Sequence, residues 1–291
     1  MRYINAFVVI LLLITFSCKE DAKTKKSTTI TTILKGEVIY RPTSDTLLLL
    51  KATADARQDN QVVEIPIVDG KFNYKFTPDE NLAYQLIFKE EHAKGSWQPI
   101  LFFPTNGQVN FKLHSLKDFS SNAIQGGALN SMYNEFTTTI LKPFNAKVRT
   151  SNASYKDVPF KDMSSDAFYA IASKLRKASP EEKKVIYKEM NALKAKGLDR
   201  SKIGKEADAK YNSLVEKYAK DKYDFITKNP TIVSYYLVIE DLMKGMQSRA
   251  LQKETVYSAF NTLKEKFPDH SYTTLGNNLM KTLNEVKPSG Q

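Results

Sequence analysis

The side chains of this chain that could do redox, metal or acid–base chemistry are few and scattered. His92, His114 and His270 lie far apart in the sequence, and none stands near an acidic pattern that would make it a metal ligand or a general base. Cys18 is the single cysteine, so the chain can form neither an internal disulfide, a CxxC redox pair nor a thiolate zinc site. We therefore expect a protein that is not an enzyme and that needs no cofactor or metal.

Two pairs of adjacent glutamates are the remaining candidates for acid–base chemistry. Glu90 and Glu91 fall in a predicted turn, whereas Glu181 and Glu182 fall at a predicted helix start. Neighbouring carboxylates at such positions point in different directions, so we expect them to be solvated or favoured by a helix dipole, and not to form an acid–base dyad. Glu182 has a further interpretation, because Ser179 three residues earlier predicts a capping box.

The lysines of residues 174–228 could bind a polyanion. The chain has a formal net charge of +11, and most of the excess lies in residues 129–291. Clustered lysines would attract an acidic glycan, but lysines interleaved with acids are also ordinary on a solvated helix face. No nucleic-acid-binding signature is present, and we expect no nucleic-acid partner. The candidate polyanion face consists of Lys183, Lys184, Lys188, Lys194 and Lys196.

The N-terminus predicts export and lipid anchoring. An apolar stretch at residues 6–16 is shorter than the about 20 residues of a transmembrane helix but fits the core of a signal peptide. Ser17 followed by Cys18 resembles the end of a lipoprotein signal peptide, and the resemblance implies cleavage before Cys18 and acylation of its thiol. Several acyl chains anchor firmly, because each buried methylene contributes about 0.8 kcal/mol. The alternative is a cleaved secretory signal with an incidental cysteine.

Charged residues follow the cysteine directly. Lys19, Glu20 and Asp21 resemble the lipoprotein export signal of certain Gram-negative bacteria, which directs a lipoprotein to the cell surface. The alternative is an ordinary charged tether. We predict a signal peptide at residues 1–17 and a tether at 18–29, with the protein lipid-anchored in the outer membrane at the cell surface or the periplasmic face.

Residues 30–127 have the two-residue periodicity of strands. Phe72 and Tyr74, for example, alternate with polar neighbours, as in a half-buried strand. Asp-Gly at 69–70 and Asn-Gly at 106–107 are sequences that favour positive-φ hairpin turns, and both fall between predicted strands. About eight short strands fit this span. The pattern predicts an antiparallel β-sandwich-like domain.

Residues 128–291 have helical periodicity, so the fold class we predict is α+β. Apolar side chains from Leu129 to Ile140 predict a helix that ends before Pro143, and residues 145–161 lack a pattern and predict a loop. Asn229 with Pro230 predicts a helix start, and the apolar run that follows predicts a helix buried nearly all round. Other helical stripes lie at residues 168–175, 211–226, 256–263 and 272–283.

Several of these motifs together resemble a known family. Gly36, the turns at 69–72 and 103–107, and the Gly-Gly junction at 125–130 are similar to a domain of unknown function. That domain is found at the N-terminus of thioredoxin-like, AhpC/TSA-type thiol–disulfide oxidoreductase lipoproteins. The helical segment that joins it to the thioredoxin domain in those proteins resembles Asn229, Pro230, Ser234 and the helix at 271–283. The resemblance covers nearly the whole mature chain.

The resemblance implies an accessory module and not the redox enzyme itself. The thioredoxin domain of that family would begin near Lys287, and this chain ends at Gln291, so we expect no thiol chemistry from it. We expect a membrane-anchored envelope lipoprotein that acts as a non-catalytic binding or interaction module, either as the partner of a separate thioredoxin-like protein or as an envelope adaptor. The alternatives are a binder of acidic glycans through the basic helical face, and an enzyme of unrecognised type in a groove between the β and α parts.

Overall fold

A computed structural model describes residues 30–58, 61–78, 80–246 and 251–285. The predicted signal peptide and tether, with Cys18, Lys19, Glu20 and Asp21, lie outside these residues. Among the helices of the described ranges, none combines the length and the apolar character that crossing a bilayer requires.

Two four-stranded sheets form the first part of the fold. One has the strand order β4-β1-β7-β8 and the other β3-β2-β5-β6. Apolar side chains alternate with polar ones along β1 and β7, as expected of strands with one buried face. The strands are β1 Thr32–Val38, β2 Thr46–Lys51, β3 Val63–Pro66, β4 Lys71–Phe76, β5 Tyr84–Phe88, β6 Ile100–Phe102, β7 Gly107–Leu113 and β8 Ala123–Gln125.

One strand pair departs from the predicted antiparallel arrangement. β1 pairs antiparallel with β4 but parallel with β7, with Thr32 opposite Gly107 and Val38 opposite Leu113. The reason is a crossover: β6 belongs to one sheet and β7 to the other, so the chain changes sheets and enters beside β1 in the same direction. The prediction of a wholly antiparallel fold is therefore wrong at this pair.

The two predicted hairpin turns behave differently. Asp69 and Gly70 both have positive φ, at 49° and 69°, and Val68 and Lys71 exchange two backbone hydrogen bonds of 2.8 and 2.9 Å. This two-residue turn is as predicted. The Asn-Gly sequence at 106–107 does not close a hairpin, because it lies in the crossover between the sheets.

Side chains of both sheets contribute to one apolar core. Leu34 of the first sheet and Leu86 of the second are fully buried. The rings of Phe102 and Phe111, one from each sheet, meet edge to face with centroids 5.3 Å apart. The same buried cluster continues into the helices, so the β part and the helical part share apolar packing.

The rest of the chain is helical, which confirms a mixed α and β protein with a helical C-terminal region. A 3-10 helix at Leu116–Ser121 precedes β8, and another at Ser173–Arg176 follows α5. The helices are α1 Lys89–Ala93, α2 Ala128–Phe136, α3 Lys142–Ala153, α4 Phe160–Met163, α5 Asp166–Ala172, α6 Pro180–Ala195, α7 Lys202–Lys228, α8 Ile232–Met243, α9 Lys253–Lys266 and α10 Ser271–Glu285. The predicted capping box of Ser179 and Glu182 is confirmed at the start of α6.

The chain stays helical through Pro143, contrary to prediction. A π-helical turn at Thr137–Leu141 joins α2 to α3, and Pro143 lies in the first turn of α3. A proline has no N–H to donate and clashes with the carbonyl four residues earlier, and the wider π turn directly before it accommodates both effects. The predicted helix end before Pro143 is wrong, and the predicted loop at 145–161 is helix up to Ala153.

Helix α8 is buried nearly all round, as predicted, but it does not begin at Asn229. Every side chain from Ile232 to Ile239 is buried. The N-cap is Thr231, whereas Asn229 caps the end of α7 and donates from its Nδ2 to the Phe225 carbonyl at 3.0 Å. The Asn-Pro pair therefore marks a helix end and the start of the next helix two residues later.

A buried amide joins the β part to the helical part. Asn130 on α2 is 4% exposed; its Oδ1 accepts from Phe103 N at 2.8 Å, and its Nδ2 donates to Phe103 O and Gly126 O at 2.7 Å each. Gly126, with φ 116°, lies so close to β7 that a Cβ there would be 2.2 Å from the Gln108 carbonyl oxygen. Far along the chain, Ala83 N donates to the Tyr272 hydroxyl at 2.9 Å. The two parts are thus held together at both ends of the helical region.

Candidate functional site

A cleft of about 690 Å³ opens among α3, α7 and α8 and is the strongest candidate site. Its volume lies in the range of small-molecule sites, which is about 300–1,000 Å³. A shallow depression of about 740 Å³ on the first sheet has only exposed ionisable side chains, Lys35, Glu37 and Lys71. The cleft is lined by Phe144, Asp208, Tyr211, Asn212, Val215, Glu216, Tyr218, Ala219, Lys222, Glu240, Asp241, Lys244 and Leu251.

A buried ion pair forms the floor of the cleft. The Lys222 side chain is 2% exposed, and its Nζ lies 2.8 Å from Asp241 Oδ1 and 3.6 Å from Glu240 Oε2. The Tyr223 hydroxyl donates to Asp241 Oδ2 at 2.9 Å, and Lys244 Nζ lies 2.9 Å from Glu240 Oε1. A charge this deeply buried is tolerated only with a counter-charge, which is the reason these side chains occur together.

Glu240 on the floor and Tyr218 on the wall have pKa values that are displaced in opposite directions. Burial works to raise the pKa of Glu240, but Lys222 and Lys244 outweigh it and hold the pKa below the ordinary glutamate value. Burial raises the pKa of Tyr218, and the charges of Glu240 and Asp241 raise it further. Glu240 is therefore a carboxylate and Tyr218 a neutral phenol across the physiological range.

The walls and rim are aromatic and acidic. Phe144 of α3 stacks on Tyr218 of α7 with ring centroids 4.3 Å apart, and Tyr211 is 46% exposed at the rim. Arg200 holds Asp208 through two hydrogen bonds, of 2.8 and 3.1 Å. Glu216 is exposed, and among the described residues it forms no ion pair.

This arrangement favours binding over proton transfer. An efficient general acid or base has a pKa near the working pH, and Glu240 and the phenol of Tyr218 are both displaced away from it. Lys222 is held by two carboxylates, so its amine is not free to act as a nucleophile. The cleft therefore offers fixed charges, hydrogen-bonding groups and aromatic surface.

The predicted polyanion residues are exposed but lie on several sides of α6. Lys183, Lys184, Lys188, Lys194 and Lys196 are all exposed. At 3.6 residues per turn, Lys183 and Lys188 are about 140° apart around the helix. Lys184 pairs with Glu181 at 2.9 Å, and Lys194 Nζ lies 5.8 Å from the centre of the Phe168 ring.

Glu90 and Glu91 lie in the first turn of α1, one of the two predicted environments, and they are not solvated there. Both carboxylates turn towards the guanidinium of Arg41, and Glu91 is only 7% exposed. Arg41 also lies over the Phe88 ring at 3.7 Å and donates to the His114 carbonyl at 2.8 Å. The cluster closes one end of the sheets around a buried cation.

The remaining candidate groups do not assemble. His270 Nε2 lies 3.6 Å from Glu80 Oε1, and His92 Nε2 lies 2.9 Å from the Ala56 carbonyl. Within the described ranges, His, Cys, Asp and Glu side chains form no group of three or more that could hold a metal ion.

Comparison of the chain with protein-family models, with curated proteins and with solved structures found no match in any of the three. The resemblance to the oxidoreductase-associated domain therefore stays a prediction.

The sequence contains a signal for the cleft that is not one of its motifs. Glu240 and Asp241 stand inside the apolar run of α8, which was predicted to be buried, and buried acids require a cation. Lys222 follows Tyr218 by four residues and precedes Phe225 by three, so it lies on the apolar stripe of α7 and not on the solvated face.

Proposed function

We propose that the protein is a membrane-anchored envelope lipoprotein that binds a ligand in the cleft among α3, α7 and α8 without catalysing its conversion. The pairing of the buried charges on the floor carries this proposal, because two carboxylates bind Lys222, and Lys222 and Lys244 hold the pKa of Glu240 below the ordinary value. A site with such groups can recognise charge and shape, but it has no group ready to accept and return a proton.

In this proposal the β part is the base that holds the helical part and its cleft in place. We infer that the two sheets form a sandwich, since Phe102 and Phe111 pack against each other from opposite sheets. Asn130 and Tyr272 then fix the helical part to this support, which is expected to keep the cleft rigid. Acylation of Cys18, the predicted anchor, would hold the whole molecule at the outer membrane.

The family resemblance favours a thioredoxin-like protein as the partner. The domains that this chain resembles precede a thioredoxin-like domain, so a separate thioredoxin-like protein is the partner we propose for this chain. Two of the motifs that carry the resemblance, at 103–107 and 125–130, come together in space through the hydrogen bonds of Asn130 to Phe103. Their spacing in the sequence therefore has a structural reason.

Site-specific photo-crosslinking in intact envelopes tests the binding function. A benzoylphenylalanine replaces Asn212 at the cleft rim in one variant and the exposed Tyr187 on α6 in the control. We expect irradiation to attach a ligand or partner at position 212 and not at 187, detected by mass spectrometry. Equal labelling at both positions, or none at 212, would contradict the proposed function.

A further inference from the structure

The first sheet, with the order β4-β1-β7-β8, has one face that is exposed to solvent. In the second sheet, the four central residues of β2 and all of β5 are buried, so both faces of these strands are covered. In the first sheet, alternate residues of β1, β4 and β7 are exposed, while the residues between them are mostly buried or half-buried. All four strands of the first sheet lie within the described residues, so every position on this face is known.

The strand register places lysine and amide side chains next to each other on this face. Lys35 of β1 lies opposite Asn73 of β4 and Asn110 of β7. Asn110 in turn lies opposite Gln125 of β8. Residues in register share a face, and neighbouring strands are about 4.8 Å apart, so this row of four side chains is about 14 Å long.

The neighbouring row contains two more lysines. Glu37 of β1 lies opposite Lys71 of β4 and Lys112 of β7. Lys35 precedes Glu37 by two residues, so the two rows are about 7 Å apart. Lys35, Lys71 and Lys112 form no ion pair within the described residues. The two rows therefore present three ammonium groups and one carboxylate.

Protection of the sheet edge accounts for only one of these lysines. Lysine is common on edge strands, where it hinders pairing with another chain, and Lys71 on β4 fits that explanation. Lys35 and Lys112 do not, because β1 and β7 are the inner strands of the sheet. Their exposed charges need another reason, and binding of an anion is one.

The depression of about 740 Å³ on the first sheet lies over these two rows. Its lining includes the lysines and amides Lys35, Lys71, Asn73 and Asn110. Val68, which is 66% exposed and bridges to Lys71, adds apolar surface at the edge of β4. The Asn73 side chain makes no hydrogen bond within the described residues, so its amide is available to a ligand.

We propose that this face of the first sheet binds an acidic glycan, a sugar chain that carries anionic groups among its hydroxyls. The ammonium groups of Lys35, Lys71 and Lys112 match the anions. A primary amide both donates and accepts hydrogen bonds, as a sugar hydroxyl does, so Asn73 and Asn110 match the hydroxyls. The face shares no lining residue with the cleft among α3, α7 and α8, and its ligand is a second one.

Other polyanions suit this face less well. The two rows contain no aromatic side chain on which a nucleic-acid base could stack. They also contain no large apolar side chain that could enter a bilayer. The lysines of α6 are the other basic candidate, but Lys183 and Lys188 lie about 140° apart around that helix.

Two forms of one oligosaccharide separate the contribution of charge from that of the hydroxyls. Hexagalacturonate carries a carboxylate on every sugar, and its fully methyl-esterified form is neutral with the same hydroxyl groups. Each is titrated by calorimetry into the full chain in detergent micelles, with empty micelles as the blank. We expect the acidic form to bind at least about tenfold more tightly than the ester, and its affinity to fall as salt rises.

Paired substitutions that remove equal charge locate the site. Lys35→Gln with Lys112→Gln should weaken the binding of hexagalacturonate about tenfold. The control, Lys183→Gln with Lys188→Gln on α6, removes the same charge and should weaken it less than about twofold. All four lysines are exposed, so we expect unchanged melting temperatures, which confirm that the variants fold.

The amide contribution is tested separately. Asn73→Ala should weaken hexagalacturonate several-fold, and by the same factor at low and at high salt, because the hydrogen bonds of a neutral amide are not screened. Asn134→Ala, which changes an exposed residue of α2, should leave the affinity unchanged.

Three results would overturn the proposal. Equal weakening by the two lysine pairs would show that net charge, and not the first sheet, determines binding. Equal affinity for the acid and the ester, or no binding of either, would exclude an acidic glycan. Tighter binding of single-stranded DNA or of anionic phospholipid vesicles, lost with Lys35→Gln and Lys112→Gln, would assign the face to a different polyanion. Photo-crosslinking at position 212 tests the cleft, and its result is independent of these.

Discussion

At the residue scale, Lys222 decides whether the floor of the cleft is stable. A buried carboxylate that loses its cation keeps the cost of desolvation without the compensating attraction. Lys222→Met should therefore lower the free energy of unfolding by about 3–5 kcal/mol, measured by urea denaturation. Lys220→Met is the matched control, because Lys220 is an exposed neighbour on α7 paired with Asp224, and it should cost less than about 1 kcal/mol. Equal effects of the two substitutions would show that the buried pair is unimportant.

Tyr218 of the cleft and Tyr223, which donates to Asp241 of its floor, give a second prediction at this scale, at alkaline pH. Burial raises the pKa of Tyr218 and Tyr223 above the ordinary value of 10.0, and neighbouring carboxylates raise it further. A raised folded-state pKa stabilises the fold below the ordinary value, and that stabilisation is lost as the pH rises further. Both phenols should therefore ionise only when the protein unfolds. Absorbance at 295 nm measures the ionisation, and circular dichroism measures the unfolding. If Tyr218→Phe reduced the absorbance change that precedes unfolding, the phenol would be titrating in the folded protein, contrary to this account.

At the element scale, the contact of α2 with the crossover between the sheets depends on one amide. Asn130→Ala removes three hydrogen bonds, two of them to buried backbone groups of Phe103 and one to the partly buried Gly126 carbonyl. We expect a loss of about 2–3 kcal/mol in the free energy of unfolding. Asn134→Ala changes an exposed residue of the same helix and should lower stability by less than about 0.5 kcal/mol in the same denaturation measurement.

The helices and strands follow from the local sequence, whereas the choice of which elements pair with each other does not. Strand periodicity and the capping residues of α6 act within a few residues, so both could be predicted. The parallel pairing of β1 with β7 joins segments about 75 residues apart and depends on the crossover, which no turn sequence encodes. Pro143 was misleading because the π turn that accommodates it has no clear sequence signature.

The candidate site, too, could be predicted from the sequence only in part. That Glu240 and Asp241 need a buried cation could be inferred from the apolar run around them. Which lysine supplies it could not, because α7 carries many lysines and only the packing of α7 on α8 selects Lys222.

At the scale of the whole molecule, the predicted anchor determines where the cleft acts. If Cys18 is acylated, the full chain should sediment with outer membranes, and Cys18→Ala should release it into the soluble envelope fraction. Intact mass should show a cleaved, acylated N-terminus for the parent chain only. Persistent sedimentation of the Cys18→Ala variant would mean that another part of the molecule holds it at the membrane.

The central claim is that the cleft binds without proton chemistry, and the ionisation of Glu240 tests it most directly. Carbon NMR of the full chain with labelled glutamate carboxyl groups, assigned by loss of the signal in Glu240→Gln, follows this one group through a pH titration. We expect an unchanged shift from about pH 9 to about pH 6 and a midpoint below the ordinary value of 4.5. A midpoint between about pH 6 and pH 8 would make Glu240 an effective general acid or base and would contradict a purely binding role.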